Sequence, residues 1–271
     1  VDSTLTARLL QEAGYDVHGA SMMLFDGQDL SDAAKMADFL GIPHTVIDLR
    51  DIYKDIVLRY FVDSYQKGIT PNPCVLCDFK VKFGVFYDRA RAFFNCPYFA
   101  TGHYARIIYD PDRGFYEVDK ALDLKKDQSY MMYHLTQDQL AHIIFPLGRT
   151  HKTDTRKIAK DKGLPDICFL GQGETYVDYL EKHAPRVFHP GDIVDLDGRV
   201  LGKHKGIPRY TIGQRRGLGI ASRHPLYVVA LDGKKNQVIV GSNEDLFRQR
   251  LLADDLDFTD GQAPGETFRC E

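Results

Sequence analysis

Residues 17–49 read VHGASMMLFDGQDLSDAAKMADFLGIPHTVIDL, and this stretch decides the fold. Val17 to Met23 reads as a strand. A helix then carries Leu30, Ala33, Ala34, Ala37 and Leu40 at spacings of three and four, stops at Gly41, and hands over through Ile42-Pro43 to a second strand, His44 to Leu49. Working outward, a helix precedes the stretch, with Ser3 as its expected N-cap, Leu5, Leu9, Leu10 and Ala13 on one face, and Gly14 as its stop. Behind it come a helix over Ile52 to Gln66, another carrying Phe79, Phe83, Phe86 and Ala90, and a short strand from Tyr98 to Thr101 ending at Gly102-His103. Repeated αβ units of this length predict an open parallel sheet with helices on both faces, whose ligands bind at the carboxyl ends of strands.

After Tyr104 the pattern changes to a hairpin turning at Asp110-Pro111-Asp112-Arg113-Gly114, followed by helices around Gln137 to Ile144 and Lys152 to Lys162. From about Gly171, after one helix near Tyr176 to Lys182, short strands separated by Gly, Asp and Pro take over: Asp192 to Leu196, Leu226 to Leu231 and Gln237 to Val240. The expected division is an α/β domain over 1–170, a mainly β domain over 171–244, and from 245 to 271 the opening of a further β-barrel module. Val1-Asp2-Ser3 enters a helix with no strand before it, and Thr267 to Glu271 reads as part of a strand. The expectation is therefore that this chain is a portion of a longer product.

The 271 residues are 44% hydrophobic and 27% charged, which excludes a disordered or collagen-like chain. No apolar run approaches the roughly 20 residues of a membrane helix, so a cytoplasmic protein is expected. Five cysteines are too few for a disulfide scaffold at this length. Cys74 and Cys77, three apart at a helix start, suit metal chelation, thiol–disulfide exchange, a single activated thiolate or simple burial. Cys96, Cys168 and Cys270 read individually as core residues. The net charge of −3 hides an asymmetry: seven basic residues and no acidic one lie between Arg199 and Arg223, against 28 basic and 38 acidic elsewhere. Such a segment, interleaved with Tyr210 and His204, suits a polyanion as well as it suits a solvated surface.

Seven stretches taken together resemble one family, the bacterial tRNA-specific 2-thiouridylases (MnmA or TrmU) of the PP-loop ATP pyrophosphatase superfamily. They are residues 1–3, Thr70-Pro71-Asn72-Pro73-Cys74-Val75-Leu76-Cys77, Ala100 to Arg106, Lys126-Asp127-Gln128-Ser129-Tyr130, Phe145-Pro146-Leu147-Gly148, Ile167-Cys168-Phe169 and Tyr210 to Gly219, in family order. The resemblance implies a PP-loop (adenine nucleotide alpha hydrolase-like) domain and ATP-dependent replacement of the C2 oxygen of a tRNA wobble uridine by sulfur. It implies ATP contacts at Val1, Asp2, Ser3, Met22 and Gly102, with Mg²⁺ at the leaving pyrophosphate. Asn72, Pro73 and Cys74 match the segment that faces the target base, while His103, Lys126, Asp127 and Gln128 match tRNA contacts. Cys77 matches the nucleophile and Cys168 the persulfide carrier, supplied by sulfide or a sulfur-donor protein.

Three departures stand out. Some members have Asp at the position of Cys74, so a [4Fe-4S] cluster on Cys74, Cys77 and Cys168 becomes chemically open. Asp78 replaces the usual Asn. The family's longer segment before the persulfide cysteine, with its Ser, has no counterpart where Leu164-Pro165 meets Asp166. A small-molecule PP-loop ligase and a non-catalytic tRNA-binding or redox scaffold are the competing readings.

Overall fold

A computed structural model describes residues 1–67, 69–162, 181, 185, 188–250, 252, 253, 256, 258, 265 and 267. In chain order the elements are α1 (Asp2–Glu12), β1 (Gly19–Met23), α2 (Ser31–Leu40), β2 (His44–Asp48), α3 (Arg50–Tyr53), α4 (Arg59–Gln66), α5 (Pro73–Leu76), α6 (Tyr87–Phe94), β3 (Phe99–Ala100), β4 (Ala105–Asp110), β5 (Phe115–Lys120), α7 (Gln137–His142), β6 (Ile143–Ile144), α8 (Lys152–Asp161), β7 (Gly191–Val194), β8 (Val200–His204), β9 (Tyr227–Asp232) and β10 (Gln237–Gly241). Wider π-helical segments, Lys54–Leu58 and Cys77–Phe86, join α3 to α4 and α5 to α6. The described residues divide into two compact units. One holds 1–56 and 74–162 with the described residues beyond 255, and the other holds 57–73 and 181–253.

In the first unit β1 pairs with β2 in parallel, Met22 opposite Ile47, and β3 pairs with β6 in parallel. The strand–helix–strand reading of 17–49 thus gives a parallel ladder, and the carboxyl end of β3 leads into Thr101-Gly102-His103. Helix stops fall where glycine permits a left-handed residue. Gly14 has φ +87°, and the Gly14 and Tyr15 N–H groups bond to the Gln11 and Leu10 carbonyls. Gly41 (φ +67°) does the same for α2. The hairpin turns at Gly114, φ +73°, whose N–H bonds to the Asp110 carbonyl 2.8 Å away.

Four expectations are corrected. Ser3 is not the N-cap: α1 begins at Asp2 after Val1, and no side chain caps it. The helix expected through Ile144 ends at His142, because Ile143 and Ile144 are β-branched, lead to a residue before Pro146, and bond to β3. The phenylalanine helix is not a uniform α-helix, since its π segment kinks at Gly84 and buries Asp78, Val81, Phe83 and Phe86. Val200 to His204 forms a strand that its Gly, Lys and His content concealed. The helix expected near Tyr176 to Lys182 lies outside the described residues apart from Glu181, as does most of 245–271.

A cluster of Leu5, Tyr104, Ala121, Leu147 and Ala159 seats α1 against α8. A second apolar group, Phe83 with Phe86, Phe99 and Phe145, packs edge to face at centroid separations of 5.7 to 6.2 Å. In the second unit the sheet order is β8-β7-β10-β9, with β7 and β10 parallel and the other pairs antiparallel. Its core gathers Ile193, Ile207, Tyr210, Leu218, Val228, Val238 and Val240, and α4 adds Phe61 and Tyr65.

Candidate functional site

The site is built around the residues that follow β3. A Cβ on Gly102 would stand 2.9 Å from the Asp2 Cβ and 3.1 Å from the Ser3 nitrogen, so only glycine lets this strand end lie against the start of α1. Asp2 is half-buried in the first turn. The Lys152 ammonium, the first residue of α8, stands 2.5 Å from each of its carboxylate oxygens. The Tyr104 hydroxyl lies 2.9 Å from Thr155 Oγ1 and 3.4 Å from Asp2 Oδ1. Burial, reinforced by the Asp2 charge, pushes the Tyr104 hydroxyl up to about 12, so it remains a donor at neutral pH.

His103, the next residue, is buried. Its Nδ1 is 2.7 Å from Thr101 Oγ1, and its Nε2 is 3.3 Å from the Lys82 ammonium and 3.5 Å from Asp78 Oδ2. Lys82 also forms an ion pair with Asp78 one helical turn earlier. Burial lowers the His103 pKa and the Lys82 charge adds to it, outweighing the hydrogen bond to Asp78, so the ring is neutral. Burial alone would raise Asp78; its bonds to His103 and Lys82 outweigh that and hold the carboxyl below its usual range. Cys77 is adjacent in sequence and half-buried, and burial pushes its thiol up to about 11, with Lys82 opposing and Asp78 reinforcing. The activated-thiolate reading of the cysteine pair is therefore not met in this state: Cys77 rests as a thiol.

The remaining residues fall as follows. Val1 packs half-buried against the α1 core, Ser3 is exposed, and Met22 is half-buried on β1 with its carbonyl accepting from Gln28 Nε2 at 3.2 Å. Asn72 is exposed, Pro73 opens α5 at a position that needs no N–H, and Cys74 is exposed. Lys126 is exposed. Asp127 accepts from the Ala121 and Ser129 nitrogens, and Gln128 exchanges two hydrogen bonds with the Tyr104 backbone at 2.8 and 2.9 Å. Asp127 and Gln128 thus brace the loop behind Gly102-His103-Tyr104. Cys168 lies outside the described residues. Among the described residues no three His, Cys, Asp or Glu side chains are placed to hold a metal ion, and no helix is long and apolar enough to cross a membrane.

Tyr104 lies within the Ala100 to Arg106 stretch but carried no role from sequence; Lys152 and Thr155 were not singled out, and nothing local would have marked them. Lys82 had a signal: it stands four residues after Asp78, the spacing of a helical ion pair. In the second unit, Arg199, Lys203, Lys205, Arg215, Arg216 and Arg223 are all exposed, and Arg215 borders a cavity of about 250 Å³ with Leu218, Ile220 and His224.

Residues 1–172 match the family described as tRNA methyl transferase HUP domain, and residues 177–242 match that described as tRNA methyl transferase PRC-barrel domain. The tRNA-specific 2-thiouridylase MnmA of Moorella thermoacetica is 44% identical over 289 residues, spanning 98% of this chain and 80% of the relative. The proteins of the same name from Clostridioides difficile and Nostoc punctiforme are 42% and 41% identical over 100% of this chain, covering 80% and 81% of their own lengths. With that identity running through both units, the chain belongs to the tRNA-specific 2-thiouridylase family.

Proposed function

We propose that the protein is a tRNA-uridine 2-sulfurtransferase that uses ATP to exchange the C2 oxygen of the wobble uridine for sulfur. One observation carries this reading. Two consecutive residues at the carboxyl end of β3 touch the two halves of the chemistry, Gly102 against the Asp2–Ser3 turn and His103 against Asp78, the neighbour of the Cys77 thiol. The matching family descriptions speak of methyl transfer and the relatives' names of thiolation; the half-buried Cys77 thiol, next to Asp78 in the chain, favours sulfur.

The C2 oxygen of uridine is a poor leaving group. It attacks the α-phosphorus of ATP, the α–β anhydride bond breaks, and pyrophosphate departs with the electron pair. The terminal sulfur of a Cys168 persulfide then attacks C2 and expels AMP with the original oxygen. Attack by Cys77 sulfur on Cys168 Sγ cleaves the remaining sulfur–sulfur bond, leaving 2-thiouridine and a Cys77–Cys168 disulfide that an external thiol reduces. Release of the persulfide sulfur by Cys77 as sulfide is the other branch. Mg²⁺ would neutralise charge on the phosphates, and Asp2 is the carboxylate in place for such a hard cation.

In this reading residues 1–170 carry the ATP and sulfur chemistry, 171–244 bind tRNA through the Arg199–Arg223 segment, and 245–271 open a further β module. Lys126, Asn72, Pro73 and Cys74 face the tRNA, and the enzyme works in the cytoplasm; the sulfur comes from a donor protein's persulfide, passed to the Cys168 thiolate with release of the donor's thiol, or from sulfide that attacks Cys168 Sγ of the Cys77–Cys168 disulfide and leaves a Cys168 persulfide and the Cys77 thiolate. An iron–sulfur version would ligate a [4Fe-4S] cluster through Cys74, Cys77 and Cys168.

Nucleoside mass spectrometry after incubation of tRNA with ATP, Mg²⁺ and a small-molecule persulfide, which hands its outer sulfur to Cys168 and leaves as a thiol, tests the reading. Thiolation is expected without added iron, and is expected to vanish in both Cys77→Ser and Cys168→Ser. Full activity in either variant removes the assigned roles.

A further inference from the structure

From the contacts of Asp2 we infer that Lys152 is a catalytic residue of the adenylation step, the ammonium that leaves Asp2 to hydrogen-bond the departing pyrophosphate. The inference rests on the ATP-dependent reading above, and it concerns a residue in none of the seven stretches that carry the family resemblance. Its ammonium reaches both Asp2 oxygens at 2.5 Å across 150 residues of chain, with the Tyr104 ring centroid 5.4 Å away.

Structural support is a poor account of this lysine. It opens α8, the end of a helix where the macrodipole disfavours a cation. The docking of α8 is secured by other groups: Thr155, fully buried, lies 2.9 Å from the Tyr104 hydroxyl, and Ala159 sits in the core with Leu5 and Leu147. Asp2, for its part, already lies in the first turn of α1, where a carboxylate is favoured without a lysine. Lys152 is thus held against its own helix's dipole, in a half-buried position, by a carboxylate that does not require it and whose own Cβ faces Gly102.

The chemistry accounts for that placement. An ammonium has three donors; one is open to an incoming phosphate oxygen while Asp2 holds the other two, and those two pass to pyrophosphate oxygens when the lysine leaves Asp2. As the α–β anhydride bond breaks, negative charge grows on the pyrophosphate oxygens. Lys152 meets it by hydrogen bonding and stays protonated, so no proton changes hands. A preorganised cation aimed at developing charge acts mainly on the transition state and on the product that carries that charge.

The test uses the full-length protein and inorganic pyrophosphate with Mg²⁺ as the probe. Calorimetric titration is expected to show pyrophosphate binding to the parent, a loss of at least tenfold in Lys152→Met, and recovery to within threefold in Lys152→Arg, with tRNA affinity and thermal midpoint unchanged. Equal pyrophosphate affinity in the parent and in a folded Lys152→Met overturns the inference, and so does a parent that binds no pyrophosphate. If Lys152→Met does not fold, Lys152→Gln and pyrophosphate product inhibition of AMP release by the parent and Lys152→Arg decide in the same way. Failure of the underlying reading has a separate signature: pyrophosphate binds through Lys152, but the parent makes no 2-thiouridine in tRNA.

Discussion

At the scale of single residues the site is a set of opposed influences on Cys77. Burial raises its thiol, Lys82 pulls it back, and the Asp78 carboxylate cancels part of that pull. A thiol pushed from 9.0 up to about 11 carries about 100-fold less thiolate near pH 8 than an unperturbed one. Alkylation of Cys77 by iodoacetamide, followed by peptide mass spectrometry, should accordingly keep accelerating with pH past about 10; a plateau by about pH 10 would contradict the raised thiol. Gly102 offers a second test at this scale. Gly102→Ala sets a methyl 2.9 Å from Asp2 and displaces the start of α1, so the KM for ATP should rise by about tenfold or more while tRNA affinity stays constant.

Among the elements, close backbone approach decides which substitutions the fold tolerates. A Cβ on Gly148 would lie 1.9 Å from the Ala105 carbonyl oxygen, where β4 crosses the turn after Phe145-Pro146. Backbone cannot yield as a flexible side chain would, so Gly148→Ala should lower the unfolding free energy of the first unit by about 3 kcal/mol. Gly114→Ala, in open space but at φ +73°, should cost only about 1 kcal/mol. Denaturant titration of the two variants separates them, and equal midpoints would mean that β4 does not meet Gly148 as described. The Phe-Pro-Leu-Gly stretch is thus marked in sequence for a reason that only packing reveals.

For the molecule as a whole, charge and protons set the conditions of action. If the Arg199–Arg223 segment tracks a tRNA backbone, replacing exposed Arg215 and Arg216 by Gln should reduce the slope of log affinity against log salt by roughly 1.5, measured by filter binding over a salt series. An unchanged slope would take tRNA away from this face. Stability should also depend on pH through His103 in one unit and His204 in the other, since burial lowers both pKa values below 6.5. A folded pKa below the unfolded one means that the unfolded chain binds more protons. Stability is full above about pH 6.5 and falls as pH drops toward the folded values. Thermal midpoints measured from pH 8 to pH 5 should decline below 6.5, and in His204→Asn the decline of the second unit should flatten.

Much of this was legible in the chain alone, because short-range chemistry determined it. Gly14 and Gly41 end helices through their own dihedrals, the Asp110–Gly114 turn closes within five residues, and the alternation over 17–49 gives two parallel strands and the helix between them. The family motifs, with Cys77 and the acid-free basic segment, needed no coordinates either. Tertiary structure alone decided the rest. Whether Ile143-Ile144 continues a helix or joins β3 depends on a partner more than 40 residues away. Whether Cys77 is thiolate or thiol depends on what buries it. That Lys152 meets Asp2, and His103 meets Asp78 and Lys82, follows from chain closure over 150 and about 20 residues, a term to which local propensity is blind.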